Sequence, residues 1–192
     1  MPSFAITDVA GQPVDLTMAL RGLAEAFGRR FPEHNEPPHR LGRLCEEVGE
    51  LAEEILRVAA DGGQRARVRG NLVKELRDVL RAAFALAGHY HRDVRFRMPG
   101  NSERQPLVLL ARLTAATGDC ARWVHHHAGM GVKVEKHGAF RPERLGAAAQ
   151  LVIDLVAEVT AYFALHEDLR VSVEETYRRY QRGGYLLPES PR

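Results

Sequence analysis

Leu41, Leu44, Val48, Leu51, Ile55 and Val58 recur at three- and four-residue intervals in a stretch closed by Asp61-Gly62-Gly63. This is the spacing of one apolar stripe along an amphipathic helix. A stripe of this kind has to be buried, and a chain that repeats it can only bury one stripe on another, so the expected architecture is helix on helix.

The same period reappears along the chain. Residues 3–15 hold two short runs around Ala10-Gly11-Gln12, the pattern of an arm or small hairpin. From about Leu16, the residues Leu20, Leu23, Ala24 and Phe27 mark a first helix, interrupted by Pro32 and Pro37-Pro38. The Leu41 stripe defines a second helix from about His39 to Ala60. Val68, Leu72, Leu76, Val79, Ala83 and Leu86 define a third, running to about His91. Beyond Pro99-Gly100-Asn101-Ser102, helices are expected over Pro106–Ala128, Pro142–His166 and Val173–Arg182.

A shift of 69 residues lays Leu41, Arg43, Leu44, Gly49 and Ala52 on Leu110, Arg112, Leu113, Gly118 and Ala121, and a shift of 76 lays Asp78-Val79-Leu80 on Asp154-Leu155-Val156. The chain therefore reads as all-α, with tandem helix-pair repeats packed as a four-helix bundle, an intrachain pseudo-dimer carrying extra N- and C-terminal helices. Residues 1–15 form the arm, 16–98 the first repeat, 104–183 the second and 184–192 a tail, in one compact unit.

The charge is balanced, 27 Lys and Arg against 25 Asp and Glu, which argues against a nucleic-acid coat. Cys45 and Cys120 both fall in apolar helical patterns, where buried thiols are commoner than bridges, so a reducing, cytoplasmic compartment is expected. No long apolar run or basic leader is visible, and no membrane partner is expected.

Chemistry concentrates in the first repeat. On a helical wheel Glu47, Glu50 and Glu54 share one border of the second helix, and Glu46 and Glu53 take the opposite flank. Glu75 and Asp78 share a border of the third, with Lys74 and Arg81 just beyond. Carboxylates held about 6 Å apart at an effective dielectric near 20 repel by roughly 3 kcal/mol per pair. Something positive is expected among them, and Mg²⁺, with Mn²⁺ as a substitute, suits an all-oxygen donor set and a phosphate-bearing substrate. The competing expectation is a solvated acidic face paired to Lys or Arg.

Cys45-Glu46-Glu47-Val48-Gly49-Glu50-Leu51-Ala52-Glu53-Glu54-Ile55, followed by Lys74-Glu75-Leu76-Arg77-Asp78-Val79-Leu80, resembles the Glu-x-x-Glu … Glu-x-x-Asp signature of the MazG-type all-α nucleoside triphosphate pyrophosphohydrolases. The resemblance extends more loosely to Ala26-Phe27-Gly28 and Phe31-Pro32. It implies Mg²⁺-dependent cleavage between the α and β phosphates, with Glu47, Glu50, Glu75 and Asp78 as metal ligands and Glu47 or Glu50 taking the proton from the attacking water. Lys74, Arg81 and Glu54 are candidate substrate contacts. Arg77 stands where the pattern usually has glycine, a change expected to reshape the rim. In the second repeat Ala116, Asp119, Leu151 and Asp154 occupy the four ligand positions, so one site per chain is expected, with the second repeat structural or walling the pocket. The family forms dimers and tetramers, which leaves a homodimer open although the duplication already supplies one interface.

Two rival classes are a regulator that binds nucleotide without hydrolysing it and a helical module for nucleic acid or protein, suggested by Arg29, Arg30, Arg65, Arg67 and Arg69. Phe27, Phe31, Trp123 and Tyr162 are candidates for base stacking and equally for core. His125-His126-His127 reads as a helix end with exposed rings, since neighbours splay by about 100° and cannot share one ion.

Overall fold

The computed structural model describes residues 4–60, 66–99, 104–131, 135 and 138–186. Strands β1 (Ala5–Thr7) and β2 (Pro13–Asp15) pair antiparallel, Ile6 opposite Val14. The Asp8 carboxylate accepts from the amides of Ala10 and Gln12, and Gly11 closes the turn at φ 78°. The helices that follow among the described residues are α1 (Leu16–Arg30), α2 (Pro37–Ala60), α3 (Ala66–His89), α4 (Pro106–His127), α5 (Pro142–Tyr162) and α6 (His166–Arg182), with a 3₁₀ turn at Pro32–His34.

Local chemistry sets the boundaries. Asp15 caps α1 by accepting from Thr17 and Met18. Proline opens α2, α4 and α5, where its missing N–H costs nothing. The Pro37-Pro38 pair therefore starts α2 and is no interruption, and the helix begins two residues before the expected His39.

Two helix ends differ more from expectation. α5 stops at Tyr162 and the next helix begins at His166, where the sequence suggests one helix through His166 and a later start at Val173. The break is a left-handed Ala164 at φ 52°, with the Leu165 amide returning to Thr160 O at 2.9 Å. α3 ends the same way at His89: His91 sits at φ 52° and the Arg92 amide reaches Ala87 O. Both are six-to-one C-terminal closures built without the usual glycine, so the punctuation that marks such an end is missing from the sequence.

The helices form a bundle. α2 packs on α3 and α4 on α5, and the two pairs meet through α3 on α5 and α2 on α4. α1 and α6 lie across α3, and the hairpin docks on α6, where Glu174 accepts the Thr7 amide and Arg178 donates to the Thr7 carbonyl. Leu44, Leu51, Leu76, Leu80, Leu113 and Val152 are fully buried, each such side chain contributing about 1.5–3 kcal/mol. α5 is long and apolar enough to cross a membrane by length and composition, and 67% of that window is buried inside the bundle. Cys120 is buried, its thiol pushed up to about 12 chiefly by burial, whereas Cys45 is exposed, contrary to the expectation of two buried thiols.

Candidate functional site

α2 and α3 run antiparallel, as the pairings of Glu47 with Arg81 and of Glu50 with Lys74 require. Their apolar stripes zip together and leave the acidic borders at one edge. There Glu47, Glu75 and Asp78 each offer a carboxylate oxygen, and these atoms lie within 4.8 Å of one another. Glu47 and Glu75 are buried and Asp78 is partly buried. Glu50 stands outside this triad, at the rim and nearly half exposed, beside Lys74 and Glu75. Glu54, a turn further along α2, is buried; it pairs with Arg57 through Oε1, and its Oε2 has no hydrogen-bond partner among the described residues.

The positive charge expected among the acids is supplied by the chain itself. Lys74 Nζ lies 2.6 Å from Glu75 Oε1, 3.7 Å from Asp78 Oδ2 and 3.9 Å from Glu50 Oε2. Arg81 donates to Glu47 Oε1 at 2.9 Å, approaches Asp78 to 3.6 Å, and places its guanidinium 4.0 Å from the centre of the Phe27 ring. Arg43 comes within 3.6 Å of Glu47. Arg77 grips Asp78 at 3.2 Å and donates to Ser172 Oγ and Thr176 Oγ1 at 3.0 Å.

Burial dominates the electrostatics. It raises the Glu47 carboxyl to about 7, and the Asp78 charge adds to the rise while Arg81 and Arg43 oppose it. Burial also raises Glu75, against the pull of Lys74. Lys74 is held above its ordinary value by its hydrogen bond to Glu75.

The set fits a hard divalent cation. All donors are carboxylate oxygens, Glu75 Oε2 is buried without a hydrogen-bond partner among the described residues, and the Lys74 ammonium already stands among three of the acids. Lys74 is about half exposed on a flexible stem and can swing out, whereas Arg81 is buried and committed to Glu47. Arg81, a candidate substrate contact from the sequence, is thus buried here and holds an acid in place.

Beside the acids, a cleft of about 260 Å³ is lined by Phe27, Asn35, Pro38, His39, Arg43 and Arg81. Gly28 makes it possible, since a Cβ there would fall 2.8 Å from Asn35 Oδ1. Asn35 instead seats against α1, donating to the Gly28 carbonyl, and accepts from Arg40 at 2.8 Å. The fragment Ala26-Phe27-Gly28 hints at this wall, but the part played by Asn35 has no sequence signal. The bond from Arg77 to α6 was equally hidden, because Ser172 and Thr176 lie about a hundred residues downstream.

The remaining candidates scatter. Arg29 donates to the Tyr185 carbonyl, Arg30 covers the Phe31 and Tyr185 rings, and Arg69 faces Asp168. Arg65 and the side chain of Arg67 lie outside the described residues. His126 is buried, 2.6 Å from the Gly138 carbonyl and stacked on Trp123, which corrects the expectation of three exposed rings. No protein-family model, curated protein or solved structure matches this chain.

Proposed function

We propose that this protein is a Mg²⁺-dependent nucleoside triphosphate pyrophosphohydrolase, cutting between the α and β phosphates, with one site per chain at the α2–α3 edge. The observation that carries the reading is the convergence of Glu47, Glu75 and Asp78 within 4.8 Å, in a motif that resembles the MazG-type signature. Glu47, Glu75 and Asp78 would hold Mg²⁺, with Glu50 completing the set from the rim. Bound there, the ion supplies charge neutralisation to the polyphosphate and acidity to an attacking water.

The chain's own residues do the rest. Arg81 holds Glu47 and Arg77 holds Asp78, so the ligand oxygens would be organised before the ion arrives. Glu50, exposed and with no arginine partner among the described residues, would accept the proton of the water. Lys74, once displaced from Glu75, turns its ammonium to the phosphates. The cleft beside Phe27 and Arg43 receives the nucleoside. Glu54, buried and paired to Arg57, supports α2 in this reading and does not touch substrate.

One observation favours a second reading, a regulator that binds nucleotide without hydrolysing it: Lys74, Arg77, Arg81 and Arg43 already balance the four acids. A panel of canonical and modified nucleoside triphosphates with Mg²⁺, scored for pyrophosphate, separates the two. Hydrolysis by the wild type, abolished in Glu50→Gln and unchanged in Asp119→Asn, supports the enzyme. Nucleotide-induced thermal stabilisation with no product from any member supports the regulator.

A further inference from the structure

In the second repeat, the counterpart of the acidic edge has lost two of its four acids, and arginines stand close to it. The 69-residue shift lays Glu50, Glu53 and Glu54 on Asp119, Arg122 and Trp123, and the 76-residue shift lays Val68 and Glu75 on Arg144 and Leu151. These residues do not fill the edge; they surround a cleft of about 420 Å³ between α4 and α5, lined by Asp119, Arg122, Trp123, Arg141, Arg144 and Leu151. Its volume lies in the range of roughly 300–1,000 Å³ usual for small-molecule sites.

The lining is chemically specific. Arg122 pairs with Asp119 at 3.0 Å, which consumes the one acid in the cleft. Arg141 and Arg144 are exposed and make no ion pair among the described residues, so two guanidinium groups face the cleft uncompensated. Trp123 is partly exposed and stacked on the ring of His126, 5.6 Å away at 27°. A planar ring fixed beside paired forks is what a phosphorylated aromatic ligand needs: the forks take phosphate oxygens bidentately and the indole takes the flat ring. With Leu151 at the place of Glu75, no carboxylate set remains to hold a divalent cation.

We propose that this cleft is a second ligand site, which binds a nucleoside monophosphate without a metal ion. It is separate from the α2–α3 edge and does not depend on hydrolysis there. Trp123 is the only tryptophan in the chain, so its emission reports the cleft directly. The test is a titration of the full chain with AMP, CMP, GMP and UMP in excess chelator, following tryptophan emission. At least one of the four should give a saturable change. Arg141→Gln with Arg144→Gln, both exposed positions, should weaken it by at least about tenfold, while Glu50→Gln leaves it unchanged. The proposal is overturned by the absence of a saturable response to all four, by a response the arginine variant keeps in full, or by one that appears only with Mg²⁺. Displacement of the nucleotide by inorganic phosphate at equal potency overturns it as well, since the ring would then contribute nothing.

Discussion

The Arg81 guanidinium reaches from α3 to the Glu47 carboxylate on α2 at 2.9 Å, and both side chains are less than a tenth exposed. Neither charge has enough water to stand alone, so each depends on the other. Arg81→Met removes the cation and leaves Glu47 buried. Breaking a buried pair in this way typically costs about 3–5 kcal/mol. Here the expected loss is nearer 2–3 kcal/mol at neutral pH, because Glu47, already raised to about 7, escapes by taking up a proton. Urea denaturation of the variant checks the magnitude; adding Glu47→Gln to it should recover part of the loss.

The raised Glu47 also sets a pH dependence. Folding lifts its pKa, so the folded state holds that proton more tightly than the unfolded chain does. The resulting stabilisation is full below the ordinary carboxyl range and is lost as pH rises through about 7. In chelator, the melting temperature of the wild type should therefore fall relative to Glu47→Gln between about pH 5 and pH 8. Divalent binding has the opposite sign, because a ligand carboxylate must be deprotonated. Affinity for Mn²⁺ should rise by up to about tenfold per pH unit until pH 7 and then level off. Calorimetry at several pH values reads the slope, and a flat profile shows that binding removes no proton from a raised Glu47.

Lys74 competes with any cation for the same oxygens, its ammonium lying 2.6 Å from Glu75 and within 4 Å of Glu50 and Asp78. Lys74→Met should therefore tighten Mn²⁺ binding in the absence of nucleotide, by a factor on the order of five given the solvent screening of a half-exposed charge. On the hydrolase reading proposed above, the same variant should also turn over triphosphates more slowly, because it would lose the proposed phosphate contact. Tighter metal with slower turnover distinguishes this role from a purely structural one, in which both would weaken together.

What the sequence makes legible follows the range of the interactions. The helices of the bundle and the two facing acidic borders depend on residues three or four apart, and the Leu41–Val58 stripe with Glu47 and Glu50 beside it displays them directly. The partners of those acids are different. Arg81 reads as a substrate contact because nothing local shows that Phe27, more than fifty residues upstream, roofs it. Arg77 reads as a departure from a glycine position because Ser172 and Thr176 reach it only once α6 has folded across α3. The outward drift of Glu50 is likewise a matter of how two helices settle, and a single-helix wheel cannot resolve it.

The Arg77 contacts carry a prediction about α6. Its guanidinium bonds Asp78 on its own helix and two hydroxyls on α6, so it pins the C-terminal helix to the side of the acidic edge. Arg77→Ala should cost about 1–3 kcal/mol, the usual range for charged hydrogen bonds removed from a part-buried site. The loss should be local. Amide exchange in α6 should accelerate while that of α2 and the centre of α3 keeps its protection, because those two helices bury their stripes chiefly on each other.

The break between α5 and α6 turns on Ala164, held at φ 52° where a β-carbon crowds the following carbonyl. A left-handed alanine costs roughly 1–2 kcal/mol relative to glycine in that conformation. Glycine gives back about 0.4–1 kcal/mol through the greater freedom of the unfolded chain. The first effect is the larger, so Ala164→Gly should stabilise the protein by up to about 1 kcal/mol, although glycine is ordinarily the weaker residue next to helices. The Leu165 amide returning to the Thr160 carbonyl keeps the closure intact in the variant, and Leu165 itself is fully buried. A rise in the denaturation midpoint with an unchanged denaturant slope confirms that the gain is relief of strain. A drop in the midpoint shows that the turn does not hold the left-handed conformation in solution and that α5 and α6 are joined differently.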